Sequence, residues 1–215
     1  MHLDPLEICN LALLNRAFHA ASSADFIWET KLPSNYRFIL DRVFDDHKTM
    51  ADLGKKDIFA KLCRPIPFDG AQKFQKVAYL QHIWWLEVDG ELEFQFPAGT
   101  YSLFFRLQLG KSTRRMGRRV CNTEHVHGWN IKPVSFELTT SNGEHAVSQC
   151  FLDNPGNWVY YHVGDFVVLH PNEMTKIKFS LTQIDCTHTK GGLSLDAVFI
   201  YPSNLDSEMS TTFKL

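Results

Sequence analysis

The chain has 215 residues, a formal net charge of -2 and 44% hydrophobic residues, 17 Phe and 5 Trp among its aromatics. That composition supplies a buried core and excludes a chain disordered throughout. The near-neutral charge excludes a global field that would gather nucleic acid or an anionic membrane.

No apolar run of about eighteen residues occurs, so no transmembrane helix is expected. "MHLDPLEICN" lacks the basic and apolar regions of a signal peptide. The 5 Cys are odd in number and scattered from Cys9 to Cys186, and no Asn-x-Ser/Thr sequon occurs. Free thiols in a cytoplasmic or nuclear compartment are expected.

Residues 1–64 predict a small helical unit. "LDPLE" is a helix start, with Asp4 as N-cap, Pro5 at the first position and Glu7 at the third, closing a capping box. Ile8, Leu11, Leu14 or Asn15, and Phe18 follow at helical spacing. Ser22 or Ser23 is placed to cap a second helix through "ADFIWETKL", stopped by Pro33. "NYRFILDRVF" and "KKDIFAKLC" predict two more, the last ending before Pro65.

After a linker at 65–77 the period changes to two, and residues 78–203 predict an antiparallel β-sandwich of jelly-roll type, with a tail at 204–215. "IWWLEVDGELEFQF" reads as two strands around an Asp89-Gly90 hairpin. "YSLFFRLQL" puts Tyr101, Leu103, Phe105, Leu107 and Leu109 on one face. "VSFEL", "HAVSQCFL", "WVYYHV", "FVVL", "KIKFSLTQI" and "LSLDAVFIY" are further strands, separated by turn signals that include Gly164-Asp165. The fold class is α+β in two units.

"LDPLEICNLALLNRAFHAASSADFIWETKLPSNY" resembles the later part of an F-box. "VAYLQHIWWLEVDGELEFQFPAGTYSLFFRLQLG", "GWNIKPVSFEL", "NWVYYHVGDFVV" and "KIKFSLTQIDCTHTKGGLSLDAVFIYP" resemble the phloem protein 2, or Nictaba-type, lectins. The order is that of plant F-box proteins of the phloem protein 2 class. The resemblance implies a non-catalytic substrate receptor. Its first unit would dock on the Skp-type adaptor of a cullin-RING ubiquitin ligase. Its second would hold glycans or glycoproteins carrying N-acetylglucosamine or mannose-rich chains. Two departures from the pattern, the missing opening Leu-Pro helix of the F-box and the missing first lectin strand with its spaced tryptophans, predict a shortened chain. The alternatives are a free lectin with a vestigial F-box, and an inactive product acting only as an interaction protein.

Sugar sites set Trp or Tyr faces against pyranose rings and bind hydroxyls with carboxylates. Trp85, Trp129, Trp158 and Tyr160 are the candidate platforms, and Glu87 and Asp185 the candidate acceptors, with the sandwich core as the alternative for each tryptophan. Trp84 shares the side of Leu86 and Val88 and is a poor platform candidate. In the first unit Pro5, Leu6, Leu11, Leu14, Phe18 and Trp28 form the expected partner surface, because about 60 residues bury their apolar surface poorly alone.

Cys121, His125 and His127, with Cys186 and His188, have no common zinc spacing, and no metal or cofactor is expected. No Gly-x-Ser-x-Gly or papain-like string occurs, so the chain is not expected to be an enzyme. The basic stretch "GKSTRRMGRR" reads as a solvated hairpin loop or, if it acts, a nuclear import signal, not a nucleic-acid contact.

Overall fold

The computed structural model describes residues 3–43, 53–63, 77–115, 118–203 and 213–214. The chain divides into two units, Met1–Lys73 and Phe74–Leu215.

The first unit holds α1 (Pro5–Ala12), α2 (Arg16–Ala21), α3 (Asp25–Glu29), α4 (Tyr36–Val43) and α5 (Lys55–Leu62). The expected capping box is present: Asp4 accepts from the Glu7 N–H at 2.7 Å, and the Glu7 carboxylate accepts from the Asp4 N–H at 2.9 Å. The single helix expected to continue toward Phe18 is instead two. Asn15 takes an extended backbone and its side chain accepts from the Phe18 N–H at 2.9 Å, so a local amide restarts the helix. Ser22 and Ser23 do not cap α3; both hydroxyls donate back to the His19 carbonyl, and Ala24 stands at the N-cap without a side-chain bond. Leu32, Tyr36, Leu40 and Ile58 form a buried cluster against which Leu53, Phe59 and Leu62 pack.

The second unit holds β1 (Ala78–Leu80), β2 (Leu86–Phe94), β3 (Gly99–Leu109), β4 (Lys111–Arg115), β5 (Arg118–Asn122), β6 (Val134–Thr140), β7 (His145–Cys150), β8 (Trp158–Val168), β9 (Thr175–Gln183), β10 (Leu193–Pro202) and β11 (Phe213–Lys214). A five-stranded sheet runs β1-β10-β3-β8-β11 and a four-stranded sheet runs β2-β9-β6-β7, with β4-β5 a separate two-stranded ribbon. Without the ribbon and β11 this is the eight-stranded jelly-roll order. Ring contacts join the sheets: Phe105 with Phe136 at 5.8 Å, Phe136 stacked on Tyr161 at 5.8 Å, and Phe105 edge-on to Phe179 at 5.9 Å.

Two expected turns are strand interiors. The Asp89-Gly90 hairpin does not form; β2 passes through both residues, pairing Asp89 with Ser180 and Gly90 with Phe179 of β9. A two-residue hairpin would have set Val88 opposite Glu91 and mixed acids with apolar residues on both faces. The single strand keeps Leu86, Val88, Gly90, Leu92 and Phe94 inward and Glu87, Asp89, Glu91 and Glu93 outward. Gly90 is glycine because a Cβ there would enter the Phe179 ring.

Likewise "WVYYHV" and "FVVL" are one strand. The β3 register shifts between Leu103 and Phe104, leaving Val163 as the extra residue of a bulge in β8. A Cβ on Gly164 would meet Ala146 of the facing sheet. Gly164→Val is therefore expected to cost about 2–3 kcal/mol by overpacking, read as a lower urea midpoint.

Candidate functional site

Three loops of the second unit meet: residues 81–85 before β2, 123–133 between β5 and β6, and 184–192 between β9 and β10. Their backbones pair directly. Ile83 and Lys190 exchange N–H···O bonds of 2.8 and 2.9 Å, and His127 and Gly191 exchange bonds of 3.3 and 3.0 Å. The Trp129 indole donates to the Gly191 carbonyl at 2.6 Å, and His188 Nε2 donates to the Gly128 carbonyl at 3.0 Å. Gly128 has φ +83°, and a side chain there would strike the Thr189 carbonyl.

Lys190 fastens this junction. It is fully buried, and its ammonium donates to the carbonyls of Trp84 (2.9 Å), Gln183 (2.8 Å) and Asp185 (3.1 Å). Three donors meet three acceptors, the full capacity of the group. Burial lowers its pKa from the ordinary lysine value, with the neighbouring Asp185 charge acting in the opposite direction. Sequence reading missed Lys190, since a lone lysine beside two glycines reads as a solvated turn.

The junction presents indole faces to solvent. Trp84 and Trp85 are 53% and 50% exposed, and Trp85 Nε1 donates to Glu87 Oε2 at 3.1 Å. Trp85 and Glu87 thus come together as expected. Trp84 does not belong to the core: it precedes the strand, so strand alternation does not govern it. Ile131 and Ile184 are also more than half exposed on these loops. Asp185 is half-buried, and its carboxylate accepts from the Thr187 N–H at 2.8 Å. The Thr187 bonds hold its pKa below the usual aspartate value.

Trp129 is corrected: at 2% exposure it is core, and its indole is committed to the Gly191 carbonyl. Trp158 and Tyr160 do not join the Trp85 group in the junction. They stand in β8 and flank Arg106 of β3, whose guanidinium lies 4.9 Å from the Trp158 ring and 5.7 Å from the Tyr160 ring. Arg106 also pairs with Asp196 at 2.5 Å. This is a second aromatic surface, on the outer face of the five-stranded sheet. A shallow depression of about 350 Å³ on the outer face of the four-stranded sheet is lined by Asp89, Glu91, Glu137, Thr139, Lys178 and Ser180, among others.

The loops carrying the two Cys/His strings are neighbours through the His127–Gly191 and His188–Gly128 contacts. Their thiols point elsewhere, Cys121 toward the Leu109 carbonyl and Cys186 toward the Ile184 carbonyl. Among the described residues no three His, Cys, Asp or Glu side chains converge on a metal position.

In the first unit Leu6, Leu14 and Phe18 are exposed by 69%, 67% and 46%. Leu13 (84%) and Phe26 (73%) add to them, and sequence spacing alone had not marked either. Pro5 and Leu11 are half-buried. Trp28 is corrected: it is 2% exposed, donates to the Ser22 carbonyl at 2.6 Å and packs 5.1 Å from Phe59. It holds the unit together and offers no face to a partner.

The sequence profile of the phloem protein 2 family matches residues 61–202. An Arabidopsis thaliana protein named F-box protein PP2-A13 is 52% identical over 248 aligned positions, covering 96% of this chain and 85% of the relative. F-box proteins PP2-A12 and PP2-A11 of the same plant are 49% and 48% identical, each over at least 94% of this chain and 84% of its own length. The aligned 248 positions exceed the 215 residues of the chain, so that relative carries residues with no counterpart here. Among solved structures, a TmCBM61 complex with β-1,4-galactotriose aligns at a TM-score of 0.32 and 14% identity, over 59% of this chain and 69% of the other. A likeness of that extent carries no argument about the ligand.

Proposed function

Since the chain belongs to the F-box proteins of the phloem protein 2 class, we propose that it is a carbohydrate-recognising receptor subunit of a ubiquitin ligase. The observation that carries this reading is the pairing of exposed apolar surface on both units. Leu6, Leu13, Leu14, Phe18 and Phe26 on the helical unit suit burial by a Skp-type adaptor. Trp84 and Trp85 on the sandwich, with Glu87 fixed by the Trp85 indole, suit the apolar face and hydroxyl rim of a pyranose. The glycan class proposed is N-acetylglucosamine or mannose-rich chains. Recognition is the whole of the activity; the chemistry of ubiquitin transfer lies with other subunits. The cytoplasm and nucleus are the proposed compartments.

Titration calorimetry with N-acetylglucosamine oligomers and high-mannose glycans tests the sugar half. Trp85→Ala is expected to weaken binding at least tenfold, because a ring face and the anchor of Glu87 are lost together. Trp158→Ala, on the outer sheet face, gives the comparison. Unchanged affinity in Trp85→Ala with a loss in Trp158→Ala would move the site to the Arg106 surface. No heat with any of these glycans, from protein of native circular dichroism, would remove the lectin reading.

A further inference from the structure

Two imidazoles meet at the loop junction. The rings of His82 and His127 have centres 5.4 Å apart and planes tilted by 35°. Both residues are exposed. Their backbones are pinned to one segment, residues 190–192. His127 exchanges its two bonds with Gly191. His82 lies between Leu80, whose carbonyl accepts from the Gly192 N–H at 2.9 Å, and Ile83, which pairs with Lys190. Gly191 permits the approach: a Cβ there would stand 2.2 Å from the Gln81 carbonyl oxygen and 2.8 Å from His127 Cε1. The two rings are therefore brought together by the fold, from positions far apart in the chain.

The His127 ring is set up as a ligand. Its Nδ1 lies 2.9 Å from the His125 carbonyl oxygen. A carbonyl only accepts, so Nδ1 carries the proton and Nε2 keeps its lone pair in the neutral ring. A metal-bound histidine ordinarily has this support, its other ring nitrogen donating to a carbonyl or carboxylate. The His82 side chain is exposed on a backbone held at both sides, so only its own torsions need turn to aim a nitrogen at the same point. His188 is no third member, since its Nε2 is committed to the Gly128 carbonyl.

The spacing selects a geometry. A zinc–imidazole bond of about 2.1 Å puts the ion about 3.2 Å from each ring centre, so two rings at a tetrahedral angle have centres about 5.2 Å apart, and at a right angle about 4.5 Å. The observed 5.4 Å fits the tetrahedral angle and not the right angle of a square-planar copper or nickel site. We propose that His82 and His127 together hold one zinc ion, which clamps the loop at 81–85 to the loop at 123–133. Two protein ligands leave two of its four positions to water. The site is independent of the sugar reading, because neither Trp84 nor Trp85 is a ligand.

The test is titration of the full chain with zinc chloride, read by calorimetry and by the melting midpoint of the sandwich. One zinc per chain is expected, with the midpoint raised by about 4 °C at free zinc tenfold above the dissociation constant. His82→Ala and His127→Ala are each expected to weaken zinc binding at least tenfold and to lose the rise. Without zinc both should melt within about 2 °C of wild type, since the positions are exposed. His125→Ala and C121S/C186S are expected to bind zinc as wild type does. Cobalt in place of zinc should give the strong visible bands of a tetrahedral ion and no thiolate charge-transfer band. Absence of zinc binding, binding that survives both histidine changes, binding lost in C121S/C186S, or a thiolate band would each overturn the inference. No readout here involves a glycan, so failure of the zinc site and failure of the sugar reading are told apart.

Discussion

Lys190→Met is expected to lower the stability of the sandwich by about 3 kcal/mol or more, since the main-chain carbonyls of Trp84, Gln183 and Asp185 lose their donor inside the fold. Methionine fills the space of the lysine stem, so the loss reads the hydrogen bonds rather than a cavity. For a unit of this size the melting midpoint should fall on the order of 10 °C. The carbonyls belong to or directly flank the loops that carry Trp84, Trp85 and Asp185, so glycan affinity should fall with stability although Lys190 itself is buried. Asp185→Ala, at a half-buried carboxylate that accepts from the Thr187 N–H, should cost only about 1 kcal/mol, well short of Lys190→Met. Equal midpoints for Lys190→Met and wild type would contradict the role given to this residue.

Trp28→Ala is expected to unfold the helical unit. Removing a buried indole typically costs about 3–5 kcal/mol, and here it also leaves the Ser22 carbonyl unpaired and the Phe59 ring without its neighbour. A unit of this length has little stability in reserve. The far-UV helix signal should therefore collapse while the sandwich still melts cooperatively. Leu14→Asp and Phe26→Asp, at exposed positions, should keep the helix signal and lose the adaptor. If Trp28→Ala stays helical and loses only the adaptor, Trp28 is a contact residue after all.

The parts of the fold that follow from local rules could be read from the sequence. The Asp4 capping box, strand β3 and strands β6, β7, β9 and β10 are legible because each rests on residues near one another in the chain, whereas β8 reads as two strands. At both expected turns the pattern around the dipeptide outweighs the dipeptide itself. At Asp89-Gly90 the parity from Leu86 to Phe94 was unbroken and already argued for one strand. At Gly164-Asp165 the apolar parity changes from Tyr161 and Val163 to Phe166 and Val168, the signature of a bulge within a strand.

For the site, proximity in sequence was enough to join Trp85 to Glu87. It could not place Trp129 in the core, because that depends on a carbonyl contributed by Gly191 far along the chain. Nor could it find Lys190, whose acceptors are the carbonyls of Trp84 in a distant loop, of Gln183 at the end of β9 and of Asp185 in its own loop. Trp84 lies before β2, where strand alternation no longer sets which side a residue takes, and it is 53% exposed.

The most direct test of the receptor reading is a single capture experiment. Immobilised Skp-type adaptor is loaded with the full chain, and a glycoprotein bearing N-acetylglucosamine and mannose-rich glycans is passed over it. Retention of both, with the glycoprotein alone released by free N-acetylglucosamine oligomer or mannose-rich glycan, is the expected result, and a chain carrying Trp85→Ala should stay on the adaptor and let the glycoprotein pass. A folded chain that fails to bind the adaptor, or one that binds it and retains no glycoprotein, would contradict the receptor function.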